Sequence, residues 1–128
     1  MHYIWILLGV GLDQITKWFA LKTHSIYVIQ NRGAAWGMLS QYTDWLTIIS
    51  GIISLYCLIL LYYTDQPAWG IRLISMGAIG NLIDRLYHGA IIDFISIGRF
   101  PVFNVADSFI TMGIAWLIFQ AIYDSPAL

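Results

Sequence analysis

Two aspartates, Asp93 and Asp107, are the residues best suited to chemistry in this sequence, because they lie in a chain whose long segments are otherwise apolar. An ionised carboxylate at bilayer depth costs roughly 2.5 to 3.5 kcal/mol on insertion scales, so a carboxylate kept there is a candidate functional group. Two neighbouring carboxylates do not both ionise easily; they share a proton and can act together as base and acid. The pair therefore fits hydrolysis of a peptide bond by an activated water.

The composition indicates a membrane protein. Of 128 residues, 59% are hydrophobic and only 10% are charged, whereas soluble domains have about 25% charged residues. The net charge of -1, without a basic stripe, argues against nucleic-acid binding. The single cysteine, Cys57, allows no intrachain disulfide, and no metal-ligand spacing such as CxxC occurs. We expect residues 1–128 to form a single integral membrane domain.

Four apolar segments approach the roughly twenty residues that a helix needs to cross the hydrocarbon. The predicted spans are residues 3–21, 45–63, 68–87 and 103–123. Between the first two spans, the β-rich run Tyr27-Val28-Ile29 is followed by turn residues and glycines. The predicted fold is therefore all-α, with four transmembrane helices and a small β-rich element between helices 1 and 2.

The polar residues converge on one membrane face in this arrangement. Four spans place both termini on one side of the membrane. The polar residues of helices 1, 3 and 4 then lie toward the opposite side, and Asp93 falls in a β-compatible segment there, at residues 90–97. Non-helical backbone at that depth is tolerated where it lines a cavity, so we expect the chemistry at this face.

Four sequence blocks together resemble one known family. They are DQITK at residues 13–17, NRGAAWG at 31–37, GNLIDR at 80–85 followed by IIDF at 91–94, and FPVFNVAD at 100–107. In content and order these blocks are similar to those of the lipoprotein signal peptidases, or signal peptidase II. The blocks extend over most of the chain, although each block alone is a weak signal.

The resemblance implies an intramembrane aspartyl endopeptidase of the bacterial inner membrane. Such an enzyme removes signal peptides from diacylglyceryl-modified prolipoproteins, cutting before the lipid-modified cysteine, and needs no metal or other cofactor. Its β-rich element and active site are extracytoplasmic, its termini are cytoplasmic, its other partners are membrane lipids, and we expect a monomer. By block, the catalytic residues are Asp93 and Asp107. The site-shaping or substrate-binding residues are Asn31, Gly33, Asn81, Arg85, Asn104 and Ala106, and the structural polar residues are Asp13, Lys17 and Asp84.

Two other classes of function remain open on the residues alone. A metal-dependent lipid phosphotransferase could use Asp84, Asp93 and Asp107 around Mg²⁺. A small proton-coupled transport subunit could use intramembrane carboxylates as a proton relay, although such a relay should place polar residues in both halves of the membrane. The orientation is also open, because Lys22, Arg32 and Arg99 would make the polar side cytoplasmic by the positive-inside rule, opposite to the family pattern.

Overall fold

The computed structural model describes residues 2–23, 26–34, 38–64 and 68–123, and four long helices make up most of them. The helices are α1 (His2–Lys22), α2 (Thr43–Tyr62), α3 (Trp69–His88) and α4 (Val105–Tyr123), with a short 3-10 helix, Ser40–Tyr42, before α2. Two three-residue strands complete the fold, β1 (Ile29–Asn31) and β2 (Ile91–Asp93). All four helices predicted from the sequence are confirmed, each within two residues at either end.

Three of the helical segments are long and apolar enough to cross a membrane: Tyr3–Lys22, Ser40–Tyr62 and Val105–Tyr123. The chain is therefore a multi-pass membrane protein. Helix α3 is long enough to cross a membrane but is less apolar than these segments, because Arg72, Asp84 and Arg85 interrupt its apolar sequence. The predicted fourth span thus stays a prediction, while the helix itself is confirmed.

Helix α3 lies at the centre of the molecule and contacts α1, α2 and α4. Small residues let these helices approach closely. A Cβ atom on Gly77 would collide with the Ala106 carbonyl of α4, and one on Gly70 would lie 3.0 Å from the Gly113 carbonyl. Polar side chains of α3 are thereby enclosed, and the outer surface is left to the apolar side chains of the other helices, such as Leu7, Ile52 and Ile118.

The two strands form one small antiparallel sheet that joins the two long connections. Ile29 pairs with Asp93, and Asn31 pairs with Ile91. The β-rich element predicted between helices 1 and 2 supplies β1, and the β-compatible segment at residues 90–97 supplies β2; the pairing of the two was not predicted. The physical reason for the pairing is that a short strand at the membrane surface leaves backbone groups unpaired until another segment supplies hydrogen bonds.

A second backbone pairing returns the chain from β2 to the start of α4. Ile95 and Phe103 form an isolated antiparallel bridge, with Phe103 N–H donating to the Ile95 carbonyl at 3.0 Å. Gly98, with φ of 55°, lies in the turn between them. This loop brings residues 104–107 beside Asp93, so residues distant in sequence meet at the candidate site.

Candidate active site

Asp107 is fixed at the N-terminus of α4 by reciprocal hydrogen bonds with Asn104. The Asp107 backbone N–H donates to Asn104 Oδ1 at 2.9 Å, and the Asn104 N–H donates to Asp107 Oδ2 at 3.1 Å. This is the geometry of a capping box, with Asn and Asp in place of the more common residues. One carboxylate oxygen of Asp107 therefore serves the helix cap, and the other, Oδ1, accepts from Asn81 Nδ2 at 2.8 Å.

Asp93 ends β2 and is almost fully buried, with 3% of its surface exposed. Its Oδ1 accepts from Asn104 Nδ2 at 2.8 Å, and its Oδ2 accepts from Asn31 Nδ2 at 3.1 Å. Burial, and next the charge of Asp107, raise the pKa of Asp93 to about 6, and the two amide donors offset part of that rise. Asp93 thus holds a proton at a pH where an ordinary aspartate is ionised.

Asn104 connects the two carboxylates, since it hydrogen-bonds to both Asp93 and Asp107. The side chain of Asn104 is completely buried. Its Nδ2 also donates to Asn81 Oδ1 at 3.0 Å. The two asparagines therefore supply each aspartate with one amide donor, and hold the pair from β2 and α4 in one arrangement.

A second pair of buried carboxylates lies behind the first and encloses a lysine. Lys17 Nζ lies 2.8 Å from Asp13 Oδ2 and 2.7 Å from Asp84 Oδ2. The i, i+4 ion pair predicted within α1 is confirmed, and Asp84 joins it from α3. We call Asp13, Lys17 and Asp84 the lysine cluster.

The lysine cluster also fixes the backbone on either side of the aspartate pair. Asp13 Oδ1 accepts from the Ala106 N–H at 2.8 Å, in the first turn of α4, and Asp84 Oδ2 accepts from the Ile92 N–H at 3.0 Å, in β2. A carboxylate at a helix N-terminus is favourable. Ala106 therefore contributes its backbone N–H, and its small side chain packs against α3.

Arg85 links α3 to the first connection and to α2. Its Nη2 donates to the Gly33 carbonyl at 3.1 Å, and its Nη1 donates to Ser50 Oγ at 2.8 Å. The charge of Arg85 also acts on Asp93 and Asp107. Arg85 and Gly33 therefore close the side of the site that faces α2.

The aspartate pair lines a cavity of about 670 Å³. Much of the cavity lining is apolar and comes from the loop before α4 and from α4 itself; we call this part the apolar wall. Its members are Phe100, Pro101, Val102, Phe103, Ile110 and Met112. Asn31, Gly33, Asn81 and Arg85 line the polar side. A ligand there would contact both the two carboxylates and a largely hydrocarbon surface.

The structure brings together every site residue that the sequence predicted, in two connected groups. The aspartate pair, Asn31, Gly33, Asn81 and Arg85 line the cavity. Asn104, Ala106 and the lysine cluster do not line it but contact the residues that do, or their backbone neighbours. Residues 35–37 of the second block lie outside the described residues.

Two residues that hydrogen-bond to the predicted site residues were not predicted from the sequence. Gln14 Nε2 lies 3.1 Å from acceptors on Asp13, Asp84 and Gly80, and Ser50 accepts from Arg85. Gln14 lies inside the first block, and that position could have marked it as a site residue. Ser50 lies in an apolar span, and nothing in the sequence around it indicates a contact with the site.

The magnesium alternative conflicts with the contacts of Asp84. Its Oδ1 accepts from Gln14, and its Oδ2 accepts from Lys17 and the Ile92 N–H. A metal shared with Asp93 and Asp107 would need those oxygens free and turned toward the pair. Among the described residues, no group of three or more acidic, histidine or cysteine side chains is arranged to hold a metal ion.

Comparison with known proteins gives a consistent family. The family model described as signal peptidase (SPase) II matches residues 5–123. The lipoprotein signal peptidase of Caldanaerobacter subterraneus subsp. tengcongensis is 40% identical over 88% of this chain and 90% of its own length. That of Nostoc punctiforme is 35% identical over 98% of this chain and 92% of its own.

A solved structure agrees with these sequence matches. It is described as a bacterial membrane enzyme and superimposes with a TM-score of 0.87, at 30% identity, over 97% of this chain and 88% of its own. Together with the four blocks and the buried polar site, these matches identify the chain as a membrane protease of the signal peptidase II family.

Proposed function

We propose that this protein is an intramembrane aspartyl endopeptidase that removes signal peptides from diacylglyceryl-modified prolipoproteins, cutting before the lipid-modified cysteine. Asp93 and Asp107 are the proposed catalytic residues. The observation that carries the proposal is the meeting of these two carboxylates, from different elements, at one cavity wall where Asn104 binds both. The names of the relatives supply the substrate class.

The pair can divide the work of peptide hydrolysis. The ionised carboxylate accepts a proton from a water, whose oxygen attacks the scissile carbonyl carbon. The protonated carboxyl donates a hydrogen bond to the carbonyl oxygen, which stabilises its developing negative charge. Collapse of the tetrahedral intermediate breaks the C–N bond, and a carboxyl proton passes to the leaving amine. The pair acts as a unit, so no single role is given to either aspartate.

The asparagines maintain the geometry that this sequence of steps needs. Asn31, Asn81 and Asn104 donate to carboxylate oxygens, and a donor to a carboxylate favours its ionised form. One member of the pair can therefore be ionised in a buried site. Arg85 adds a positive charge near both carboxylates and orients the Gly33 segment.

The apolar wall supports a lipid-modified substrate. Phe100, Val102, Ile110 and Met112 line the cavity, and Met112, on α4, has 49% of its surface exposed. Acyl chains on a cysteine could lie along this wall while the peptide backbone reaches the aspartates. Burial of hydrocarbon contributes roughly 0.8 kcal/mol per CH₂ group, which would favour modified over unmodified precursors.

The proposed topology is one integral membrane domain with four spans, cytoplasmic termini and the site at the outer face. Helix α3 has 20 residues and spans about 30 Å, the thickness of the hydrocarbon core. Its buried Arg72, Asn81 and Asp84 are enclosed by neighbouring helices rather than turned to lipid. The basic residues Lys22, Arg32 and Arg99 then lie outside, and a reporter fused at Leu128 should be cytoplasmic. An external reporter would reverse this orientation. We propose a monomer.

The decisive experiment follows cleavage of a diacylglyceryl-modified prolipoprotein in detergent by gel shift, with and without EDTA. We expect cleavage by the wild type in both conditions and none by Asp93→Asn or Asp107→Asn, with all three proteins equally folded. Cleavage only with added metal would favour metal chemistry. Substantial cleavage by either variant would remove that aspartate from the mechanism.

A further inference from the structure

Lys17 binds three acceptors, which is as many as an ammonium group has hydrogens. They are Asp13 Oδ2 at 2.8 Å, Asp84 Oδ2 at 2.7 Å and Asn81 Oδ1 at 3.0 Å. Lys17 is only 2% exposed. The first two contacts explain how the lysine is neutralised. The third contact reaches a side chain that itself touches Asp107, so it connects the lysine cluster to the aspartate pair.

This third contact selects one of the two orientations of the Asn81 amide. An ammonium group donates hydrogen bonds and accepts none, so the atom of Asn81 that faces Lys17 must be the oxygen. The amide nitrogen then faces the other way and donates to Asp107 Oδ1 at 2.8 Å. With the amide reversed, its oxygen would face a carboxylate oxygen, and the two acceptors would repel each other.

The selection extends to a second amide. Because Asn81 Oδ1 is already held toward the interior, it accepts from Asn104 Nδ2 at 3.0 Å. The Asn104 nitrogen thereby lies where it also donates to Asp93 Oδ1 at 2.8 Å, and its oxygen accepts from the Asp107 N–H. Lys17 thus sets the direction of the hydrogen bond from Asn81 to Asp107, and together with the Asp107 N–H it sets that of the hydrogen bond from Asn104 to Asp93.

We propose that Lys17 is a positioning residue for peptide hydrolysis, which holds the amides of Asn81 and Asn104 so that their N–H groups face Asp107 and Asp93. This inference rests on the proposed function of the aspartate pair. It differs from a purely structural ion pair, because a structural pair would stabilise the fold without determining which amide atom meets the catalytic oxygens.

The charges around the pair come from every element that packs there, and the test must hold them balanced. They are Asp13 and Lys17 on α1, Asp84 and Arg85 on α3, Asp93 on β2 and Asp107 on α4. Replacing Lys17 alone would leave two buried anions uncompensated, which is strongly destabilising. The informative comparison is therefore between Asp84→Asn and the charge-balanced double variant Lys17→Met/Asp84→Asn.

We expect the double variant to have a kcat about 10- to 100-fold below that of Asp84→Asn, with KM unchanged, because misplaced catalytic groups reduce turnover rather than substrate binding. The alkaline limb of its pH profile should move to higher pH, because the Lys17 charge that lowers the pKa of Asp93 is lost and because a reversed Asn81 amide disfavours the ionised form of the pair. Lys22→Met is the matched control, because Lys22 is an exposed lysine on the same helix, and it should keep wild-type kcat.

A double-mutant cycle tests whether Lys17 acts through Asn81. In an Asn81→Ala, Asp84→Asn background, adding Lys17→Met should lower kcat little further, because residues that act through one another are non-additive. A full, additive loss of kcat there, or a raised KM with kcat unchanged, would overturn the inference. Asp93→Asn is measured beside these variants. If Asp93→Asn keeps activity, the proposed function fails. If Asp93→Asn is inactive but the Lys17 variants keep full kcat, only the inference about Lys17 fails.

Two further variants keep the inference testable should the methionine variant not fold. Arginine also only donates and keeps the charge, so Lys17→Arg should keep the alkaline limb at its wild-type pH. Glutamine can present either a donor or an acceptor, so the charge-balanced Lys17→Gln/Asp84→Asn should move the limb upward relative to Asp84→Asn. A limb that moves in Lys17→Arg and not in Lys17→Gln/Asp84→Asn would contradict the proposed orientation of Asn81.

Discussion

The protein contains two pairs of buried carboxylates that differ in what lies between them. Asp13 and Asp84 enclose the ammonium group of Lys17, whereas Asp93 and Asp107 share an asparagine and face a cavity. A cation between two carboxylates compensates their charge and makes all three groups part of the scaffold. Two close carboxylates without a cation between them repel each other when both are ionised, which favours a shared proton. The same residue type thus serves structure in one place and is available for chemistry in the other.

Location explains how the two pairs cooperate. The lysine cluster holds the backbone N–H of Ala106 and of Ile92, which precede Asp107 and Asp93 by one residue each. The scaffold pair therefore fixes the segments that carry the reactive pair. Disturbing the first should reduce stability, and disturbing the second should reduce activity.

The largest effects should come from removing one negative charge from each pair in turn and comparing the two variants. Asp13→Asn breaks a fully buried ion pair and should lower the free energy of unfolding by about 3–5 kcal/mol. Asp107→Asn should lower kcat by about 10²–10⁴-fold with a smaller loss of stability than Asp13→Asn, since removing a like-charge contact offsets the loss of one of its two acceptor oxygens. Thermal unfolding in detergent and the gel-shift assay measure both quantities. A more stable Asp13→Asn, or an active Asp107→Asn, would erase the distinction between the pairs.

A smaller effect should follow from crowding the lysine cluster without changing any charge. A Cβ atom on Gly80 would lie 2.5 Å from Asp13 Oδ2, so Gly80→Ala must displace that carboxylate. We expect a loss of about 1–3 kcal/mol, as for other overpacked sites. Gly51→Ala on α2 is the matched control, because nothing lies within 4 Å of its added Cβ. Equal unfolding temperatures for the two variants would show that the cluster tolerates displacement.

The smallest expected effect is a shift in pH dependence. The pKa of Asp93 is raised to about 6, first by burial and then by the charge of Asp107. The pair should therefore lose its shared proton as the pH rises through about 6, and kcat/KM should fall above that pH. Asn31 donates to Asp93 and favours its ionised form, so Asn31→Ala should raise the pKa and move the limb upward. A limb that moves to lower pH would mean that this contact does not act on the proton.

The sequence predicted most of the fold, because the hydrophobic segments have the length that a bilayer requires. The four helices occur where their apolar runs predicted, and Asp93 lies on the short strand expected there. The pairing of β1 with β2 was not predictable, since each strand is only three residues long. Such short strands do not determine their own partners. The packing of α3 against the other helices brings the two strands together.

The site was predicted less evenly. The sequence blocks identified Asp93, Asp107 and their asparagines as residue types suited to hydrolysis, and the i, i+4 spacing identified the Asp13–Lys17 pair. Neither spacing nor composition indicated that Gln14 hydrogen-bonds to two aspartates or that Ser50 accepts a hydrogen bond from Arg85. Those contacts join different helices, and a linear pattern contains no information about which helix faces lie together.

The sequence by itself determined that the chain lies in a membrane, where its helices are and which chemical groups are available, because hydrophobicity and residue type are local properties of the chain. Only the tertiary structure decided which carboxylates receive a cation and which face a cavity. Asp84 and Asp93 lie close together in sequence, yet α3 directs the first to Lys17 and β2 directs the second to Asn104. The difference between scaffold and reactive aspartate arises from these neighbours, since burial and partner charge determine how a carboxylate ionises.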